Sequence, residues 1–389
     1  MTSRAIYAAR RAVEHAVTVP GVRPLRLFPV LWPLWQVEIS ANVYEEQAYE
    51  VIDRFLERAV VEGGIDSRDE LARFFGLQPA LVDRCLAFLG VIGHLTVDGG
   101  VVRLTELGLQ SLRAGVRLTP KESRQKVLIE RFTGRPLPRR YHHGSLHVLP
   151  EPRIPDHLLA DRSRFLPLFT PTAFEPAIVD ALAARPDRTE YNLPSRLRDI
   201  TTVAAQDAYL PAYLVETERH ALLAYTAIGD ERDTFLEEIC RDVPSVQLKI
   251  DAETRLDRRE LWTEWLAESR HGPGRLQQLR NGVWRVTLSP AAFSGAPRLS
   301  LSSVGSFQLR KYHFLQLWCD DQDLRGRAVA ERALGMARLS EVRTQNDLVE
   351  RIGVLADRLE VKPPSVADLR AYATTNGLHD HLSHLDALA

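Results

Sequence analysis

Cysteine is scarce in this sequence, with three such residues among 389. Cys85, Cys240 and Cys319 lie far apart, so no two of them form a C-x-x-C pair. Disulfide frameworks use even numbers of cysteines, and zinc knuckles use closely spaced ones. The cysteine content therefore excludes a disulfide framework and a cysteine-based metal knuckle.

A strong net charge and a long hydrophobic run are also missing. The formal net charge is −1, so the chain as a whole has no bulk attraction for nucleic acid or for acidic membranes. The longest apolar stretch, from Leu27 to Trp35, is interrupted by two prolines and is far shorter than the roughly 18 residues of a membrane span. The first residues lack the apolar core of a signal peptide. We therefore expect a cytoplasmic protein with no membrane partner.

Familiar catalytic motifs are absent as well. The sequence has no P-loop, no glycine-rich dinucleotide fingerprint, no G-x-S-x-G elbow and no H-E-x-x-H motif. Lysine is rare, with five among the 50 basic residues, an arginine bias that is typical of GC-rich bacterial genomes. We expect a bacterial protein that is not an enzyme and needs no cofactor.

The sequence does contain a strongly periodic segment between residues 44 and 115. Apolar residues at helical spacing predict a first helix over 44–62. A second helix is predicted to begin at the S-x-x-E capping box of Ser67 and Glu70. Pro79 suits the first turn of a third helix.

The same segment then changes from helical to strand periodicity. Residues 95–97 and 101–104, separated by Asp-Gly-Gly, predict a hairpin, and Thr105 caps a last helix. Residues 102–108, VRLTELG, resemble the ending common to bacterial winged helix-turn-helix domains, where a wing strand runs into L-T-x-x-G. The resemblance covers residues 44–115 and implies a winged-helix fold, which says little about function by itself.

The rest of the chain is predicted to form a mixed domain, which makes the protein α+β. Residues 120–132 are predicted as a helix within an otherwise loop-like segment, and residues 307–318 as one strand. The predicted parts are an N-terminal arm at 1–43, the winged helix at 44–115, a basic connector at 116–168, a mixed α/β domain at 169–323 and a helical C-terminal part at 324–389.

DNA binding requires clustered positive charge, and one segment supplies it. Ten basic residues between Arg103 and Arg140 stand against three glutamates, a balance of +7. The predicted DNA-binding residues are Arg84, Arg103, Arg113, Arg117, Lys121, Arg124, Lys126, Arg131, Arg135, Arg139 and Arg140. The third helix offers only Asp83 and Arg84 as charged residues, which suits the reading of base edges poorly. The alternative is that the basic segment is a solvated linker or docks on the acidic first helix, and that the winged helix binds protein.

The sequence predicts no metal site. Zinc requires three or four ligands at fixed geometry, and the clustered histidines lie in polar segments without such a frame. The aspartates before residue 324 are expected to cap the helix that begins there. The residues considered are His142, His143, His147, His379, His381, His384, Asp320, Asp321 and Asp323.

One arrangement could support catalysis. Residues 246–250 are predicted as a strand that carries Gln247 and Lys249, and Asp230 ends an earlier strand. Some restriction-type nucleases place an aspartate and a Gln-x-Lys pair on adjacent strands, where they bind Mg²⁺. The unit 221–250 also resembles half of a phospholipase-D-like domain. Because that family's H-x-K is missing here, the resemblance implies no hydrolysis.

These patterns lead to three functional hypotheses. The first is a DNA-associated winged-helix protein, a transcriptional regulator whose C-terminal domain senses a ligand or partner. The second is a non-catalytic subunit of a bacterial DNA-repair or phage-defence complex, in which the winged helix docks on a protein or on a second copy of the chain. The third is a metal-dependent nuclease built on Asp230, Gln247 and Lys249.

Overall fold

Helices and strands both contribute to the fold, with 41 % of the residues helical and 26 % in strands. The predicted mixed α+β class is confirmed at this level. The structure is a computed structural model that describes residues 6–142, 146, 148–155, 164–195, 197–229, 231–295, 297–339 and 342–388.

The chain divides into two compact units. Unit 1 comprises Met1–Pro33, Ser145–Phe169 and Tyr209–Ala389, and unit 2 comprises Leu34–Gly144 and Thr170–Ala208. Two long strands, β1 (Pro24–Gln47) and β6 (Leu197–Thr217), contribute residues to both units. The N-terminal arm predicted at 1–43 therefore includes most of a sheet strand, because β1 begins at Pro24.

Unit 2 is an antiparallel ribbon with a helical insertion. Strand β4 (Arg117–Glu130) pairs with β1 over 14 residue pairs, from Leu34↔Glu130 to Gln47↔Arg117. Between these strands the chain forms α2 (Val51–Glu62), α3 (Arg68–Phe75), α4 (Pro79–Val91), β2 (Leu95–Asp98), β3 (Val101–Leu104) and α5 (Glu106–Ala114). Helix α6 (Ala177–Ala183) packs on the ribbon's apolar face through Val179 and Leu182.

We call residues 51–115 the helical insertion. Its elements follow the predicted order of three helices, a hairpin and a last helix. Gly76 ends α3 in the left-handed conformation, Pro79 occupies the first turn of α4, and Thr105 accepts a hydrogen bond from the backbone N–H of Gly108 at 3.2 Å. Ser67 precedes α3 as predicted, but its side chain makes no capping hydrogen bond. An apolar core formed by Leu56, Leu71, Val82, Leu89 and their neighbours holds these elements together.

Unit 1 has two groups of helices and strands in addition to its part of the long strands. The first part holds α1 (Ala9–Thr18), β5 (Leu166–Pro167), β7 (Leu222–Thr226), α7 (Thr234–Asp242), α8 (Pro244–Asp251) and α9 (Arg258–Glu268). A sheet of order β10-β11-β9-β8 follows, formed by β8 (Gly274–Gln278), β9 (Trp284–Leu288), β10 (Phe307–Arg310) and β11 (His313–Trp318). The helices α10 (Gln322–Met336), α11 (Gln345–Arg358), α12 (Val366–Thr375) and α13 (His379–Asp386) share one large core with this sheet.

Three predicted elements are wrong. Residues 120–132 were expected to be helical, but most of them belong to strand β4, because pairing with β1 outweighs their helical propensity. Residues 246–250 were expected to form a strand, but they lie in helix α8. Residues 307–318 form two strands, because the chain turns back at Lys311 and Tyr312.

Candidate functional site

The basic residues that were expected in a connector lie instead on an ordered strand. Lys121 and Arg124 project from β4 beside carboxylates of β1, with Lys121 Nζ 3.9 Å from Glu45 and Arg124 Nη1 3.5 Å from Glu38. Such exposed cross-strand pairs add little stability, but they offset part of the positive charge that the sequence suggested.

Two predicted DNA-binding arginines are largely buried in unit 2. The Arg117 side chain is 13 % exposed, donates to Gln47 Oε1 at 2.7 Å and lies 3.5 Å from Asp53. The Arg131 side chain is 14 % exposed and lies 2.9 Å from Asp207, with its guanidinium over the ring of Trp35. Because these guanidinium groups already have partners, neither is available to a phosphate without breaking the fold locally.

The other predicted DNA-binding residues remain near the surface. Arg84, Arg103 and Arg113 are exposed and form no ion pair with a carboxylate of any described residue. Lys126, Arg139 and Arg140 are also exposed, whereas Arg135 is half-buried. The structure therefore leaves scattered cations on the helical insertion instead of the dense stripe that the sequence suggested.

The exposed face of α4 is mainly apolar. Arg84, Phe88 and Val91 follow one another at helical spacing, and Val91 is 85 % exposed. Phe74 of α3 and Val97 of the hairpin are exposed as well, at 66 % and 55 %. Between residues 51 and 115 nine carboxylates stand against seven arginines, so the helical insertion carries a net charge of −2.

A buried polar network joins the helical insertion to the ribbon. His94 Nδ1 lies 2.6 Å from Glu57 Oε1, and His94 Nε2 lies 2.8 Å from the carbonyl oxygen of Leu118 on β4. Tyr49 donates to the second Glu57 oxygen at 2.7 Å, and Ser111 Oγ lies 3.2 Å from His94 Nε2. Burial and the hydrogen bond to Glu57 raise the pKa of Tyr49. The network was not predicted, because its members are spread over about 70 residues without a recognisable spacing.

Unit 1 contains a cavity lined by cationic side chains, with a volume of about 450 Å³. It lies beside α1, β1, β6 and the turn between β10 and β11. Its lining residues are Arg10, Leu27, Pro29, Arg164, Tyr213, Gln308, Leu309, Arg310, Lys311, Tyr312 and His313. None of these lining residues is acidic. We call this the cationic cavity.

His313 is the buried polar residue of the cationic cavity. Burial, followed by the charges of Arg258 and Arg26, lowers its pKa to about 4 against the opposing effects of Glu216 and the Leu25 backbone. Neither ring nitrogen has a side-chain hydrogen-bond partner within the described residues. The imidazole is therefore neutral at physiological pH, with one donor and one acceptor.

The nuclease-like arrangement is not assembled as predicted. Gln247 and Lys249 lie on helix α8, where side chains two residues apart point about 160° away from each other and so lie on nearly opposite faces. Gln247 donates to Asp251 at 3.3 Å, and Lys249 is exposed. Asp230 lies outside the described residues. The resemblance of 221–250 to a phospholipase-D-like half remains a prediction, although the second strand expected there is a helix.

Acidic residues act mainly as helix caps and ion-pair partners. Asp321 accepts from the backbone N–H of Leu324 at 2.9 Å and caps α10, as predicted. Glu216, His220 and Asp251 bring ligand atoms within 4.8 Å of one another. However, Glu216 is 2.6 Å from Arg26, and Arg255 lies between Glu216 and Asp251 at 3.4 and 3.0 Å. These guanidinium groups already balance the carboxylates that a metal ion would need.

The histidines that cluster in the sequence are not among the residues whose ligand atoms come together in the described part of the chain. His143 and His147 lie outside the described part of the chain. His379, His381 and His384 belong to α13, and His381 Nδ1 lies 3.1 Å from the carbonyl oxygen of Leu334.

Comparison with known proteins gives no relatives for this chain: no protein-family model, curated protein or solved structure matches it. Within the described residues, none of the helices combines the length and the apolar character needed to cross a lipid bilayer.

Proposed function

We propose that the protein is a non-catalytic interaction protein, and that its helical insertion is a winged helix that docks on a protein partner. The observation that carries this proposal is the exposed face of α4, where Phe88 and Val91 stand at positions that a DNA reader fills with polar side chains. Exposed clusters of large apolar side chains are typical of protein interfaces.

Charge supports the same choice between protein and DNA. The helical insertion carries a net charge of −2, and Arg117 and Arg131 of the ribbon are held by Asp53 and Asp207. Phosphate contacts gain affinity from clustered, accessible cations. This arrangement favours a partner with an apolar patch and basic residues around it.

A second candidate function is weak DNA association. Arg84, Arg103 and Arg113 are exposed and have no carboxylate partner within the described residues, so they could contact phosphates. Three phosphate contacts would give a slope of roughly −2.7 for the logarithm of affinity against the logarithm of salt concentration. Because Asp83 and Arg84 are the only charged residues of α4, such binding would depend little on base sequence.

Copurification from the native host with quantitative mass spectrometry tests the docking proposal. Val91→Glu and Phe74→Glu should reduce capture of the same partner at least about tenfold, because each places a charge in a desolvated contact. Leu248→Glu is the matched control, since Leu248 is equally apolar and 68 % exposed but lies in unit 1.

The docking proposal fails if both variants retain every partner of the wild-type protein, or if Leu248→Glu has the same effect. A DNA titration at low and high salt tests the second candidate. The triple variant Arg84→Gln, Arg103→Gln and Arg113→Gln should abolish any binding. Tight binding that the triple variant leaves unchanged would contradict both proposals.

A further inference from the structure

The cationic cavity of unit 1 has positive charge that carboxylates of the described residues balance only at Arg310. Arg10, Arg164 and Lys311 form no ion pair with a carboxylate of the described residues, and Arg310 has a partner in Glu268 at 2.9 Å. Like charges brought to one concave surface repel each other, and the low dielectric of the walls strengthens the effect. An anion in the cavity would relieve this repulsion.

The turn that presents part of this charge is strained. Lys311 and Tyr312 have φ values of 46° and 66°, in the left-handed region. Two-residue hairpin turns of this kind normally use Asn-Gly, because each non-glycine residue with a Cβ costs about 1–2 kcal/mol there. The turn is fixed by a 2.7 Å hydrogen bond from the Leu27 N–H to the Tyr312 carbonyl oxygen. Such strain often marks a residue whose side chain has a function.

The cavity also has an apolar and aromatic wall. Leu27, Pro29 and Leu309 line it together with Tyr213, and the ring of Tyr312 packs 4.8 Å from that of Phe28. A volume of about 450 Å³ lies in the range of small-molecule sites, which is roughly 300–1,000 Å³. A site for inorganic phosphate alone would need neither this wall nor this volume.

We propose that the cationic cavity binds a nucleotide with two or more phosphate groups. The phosphates would bind Arg10, Arg164 and Lys311, and the base would lie against the apolar and aromatic wall. His313 is buried beside the cavity with its ring nitrogens unpaired to any side chain, so it can offer one directional hydrogen bond to the ligand. This site is independent of the docking surface proposed for the helical insertion, because all its residues belong to unit 1.

Isothermal titration calorimetry with ATP, pyrophosphate and adenosine tests the proposal. We expect ATP to bind with micromolar affinity, pyrophosphate to bind more weakly and adenosine to bind weakest, because charge and base both contribute. Arg164→Gln and Lys311→Gln should each weaken ATP binding at least about tenfold. Arg327→Gln, an exposed arginine of α10 outside the cavity, is the matched control and should bind as the wild type does.

Several outcomes would overturn the proposal. No heat of binding with ATP or pyrophosphate at about 1 mM removes the anion site altogether. Equal affinity for pyrophosphate and ATP removes the nucleotide part. A single-stranded oligonucleotide that displaces ATP and binds more tightly assigns the cavity to nucleic acid instead. The melting temperature of each variant must match the wild type, and His313→Gln supplies a neutral substitution that should also weaken ATP binding.

Discussion

Replacement of Glu57 by leucine should detach the helical insertion from the ribbon strand that supports it. Glu57 is fully buried on α2 and holds both His94 and Tyr49. His94 in turn reaches the carbonyl oxygen of Leu118 on β4. Loss of the carboxylate therefore removes the group that holds His94 in place for its hydrogen bond to Leu118.

The expected cost follows from the groups that lose their partners. In Glu57→Leu, the Nδ1 of His94 stays buried without its Glu57 partner, and the half-buried hydroxyl of Tyr49 loses its carboxylate acceptor. A buried ring nitrogen left without a partner costs about 1–3 kcal/mol of unfolding free energy, and the lost Tyr49 contact adds about 0.5–1.5 kcal/mol. Glutamine at the same position should cost about 1 kcal/mol or less.

The difference between leucine and glutamine has a geometric reason. A carbonyl oxygen only accepts, so His94 Nε2 must carry a hydrogen toward Leu118. A neutral imidazole then accepts at Nδ1, where the glutamine amide can donate, while the amide oxygen accepts from Tyr49. Every polar group keeps a partner in Glu57→Gln.

Hydrogen exchange with mass spectrometry measures this effect where it arises. Peptides covering 51–62 and 93–118 should exchange roughly a hundred to a thousand times faster in Glu57→Leu than in the wild type. Peptides from α10 in unit 1 serve as an internal reference. Equal acceleration by leucine and glutamine would show that the charge, and not the set of hydrogen bonds, matters. No acceleration in Glu57→Leu would refute the network's structural role.

Three further predictions concern single sites. Gly108→Ala should lower stability by about 2 kcal/mol or more in a thermal melt, because the added Cβ would collide with the His94 carbonyl oxygen. Gly90→Ala is the control; its Cβ would meet nothing closer than 4.0 Å, so it should be neutral or stabilising. Lys311→Gly should leave the melting temperature unchanged or raise it while weakening ATP binding, since glycine removes the strain at φ 46°; a clear drop in melting temperature would contradict this. The pKa of His313 is lowered to about 4, so stability that is full above pH 6.5 should be lost as the pH falls toward 4, by about 3 kcal/mol. Denaturation of His313→Gln should show a flatter pH profile.

The sequence predicts the helical insertion well because its signals are local. Gly76 ends α3 through its left-handed backbone conformation, and Thr105 caps α5 with its side chain as predicted. Periodic apolar residues such as Leu71 and Leu89 identify the buried faces. These features depend on neighbours within a few residues, so one sequence suffices to find them.

Helix α8 and strand β4 were mistaken for the opposite kind of element because tertiary contacts decide them. Val246, Leu248 and Ile250 alternate as in a strand, but Pro244 begins a helix that buries Val246 and Ile250 and leaves Leu248 exposed. Residues of β4 have high helical propensity, yet pairing with β1 extends them. Local pattern alone does not separate such cases.

The cationic cavity could not be predicted because its residues come from five separate stretches of the chain. Arg10, Arg164 and Tyr213 approach the β10–β11 turn only after folding. The turn itself was missed because Lys311 and Tyr312 replace the glycine and asparagine that normally announce it. Lys311 and Tyr312 are unusual residues for a two-residue hairpin turn, and they line the proposed site.

Arg117, at the base of the helical insertion, has a structural role in place of the DNA contact that its charge suggested. Gln47↔Arg117 is the last pair of the ribbon, and Arg117 reaches Asp53 of α2 and covers the ring of Phe88 on α4. Next to it, Leu118 accepts the hydrogen bond of His94. Arg117 and Leu118 of β4 thus contact the helical insertion at three places, which are Asp53, Phe88 and His94. A surface that is held rigid before binding loses less conformational entropy on association, which is what a docking module requires.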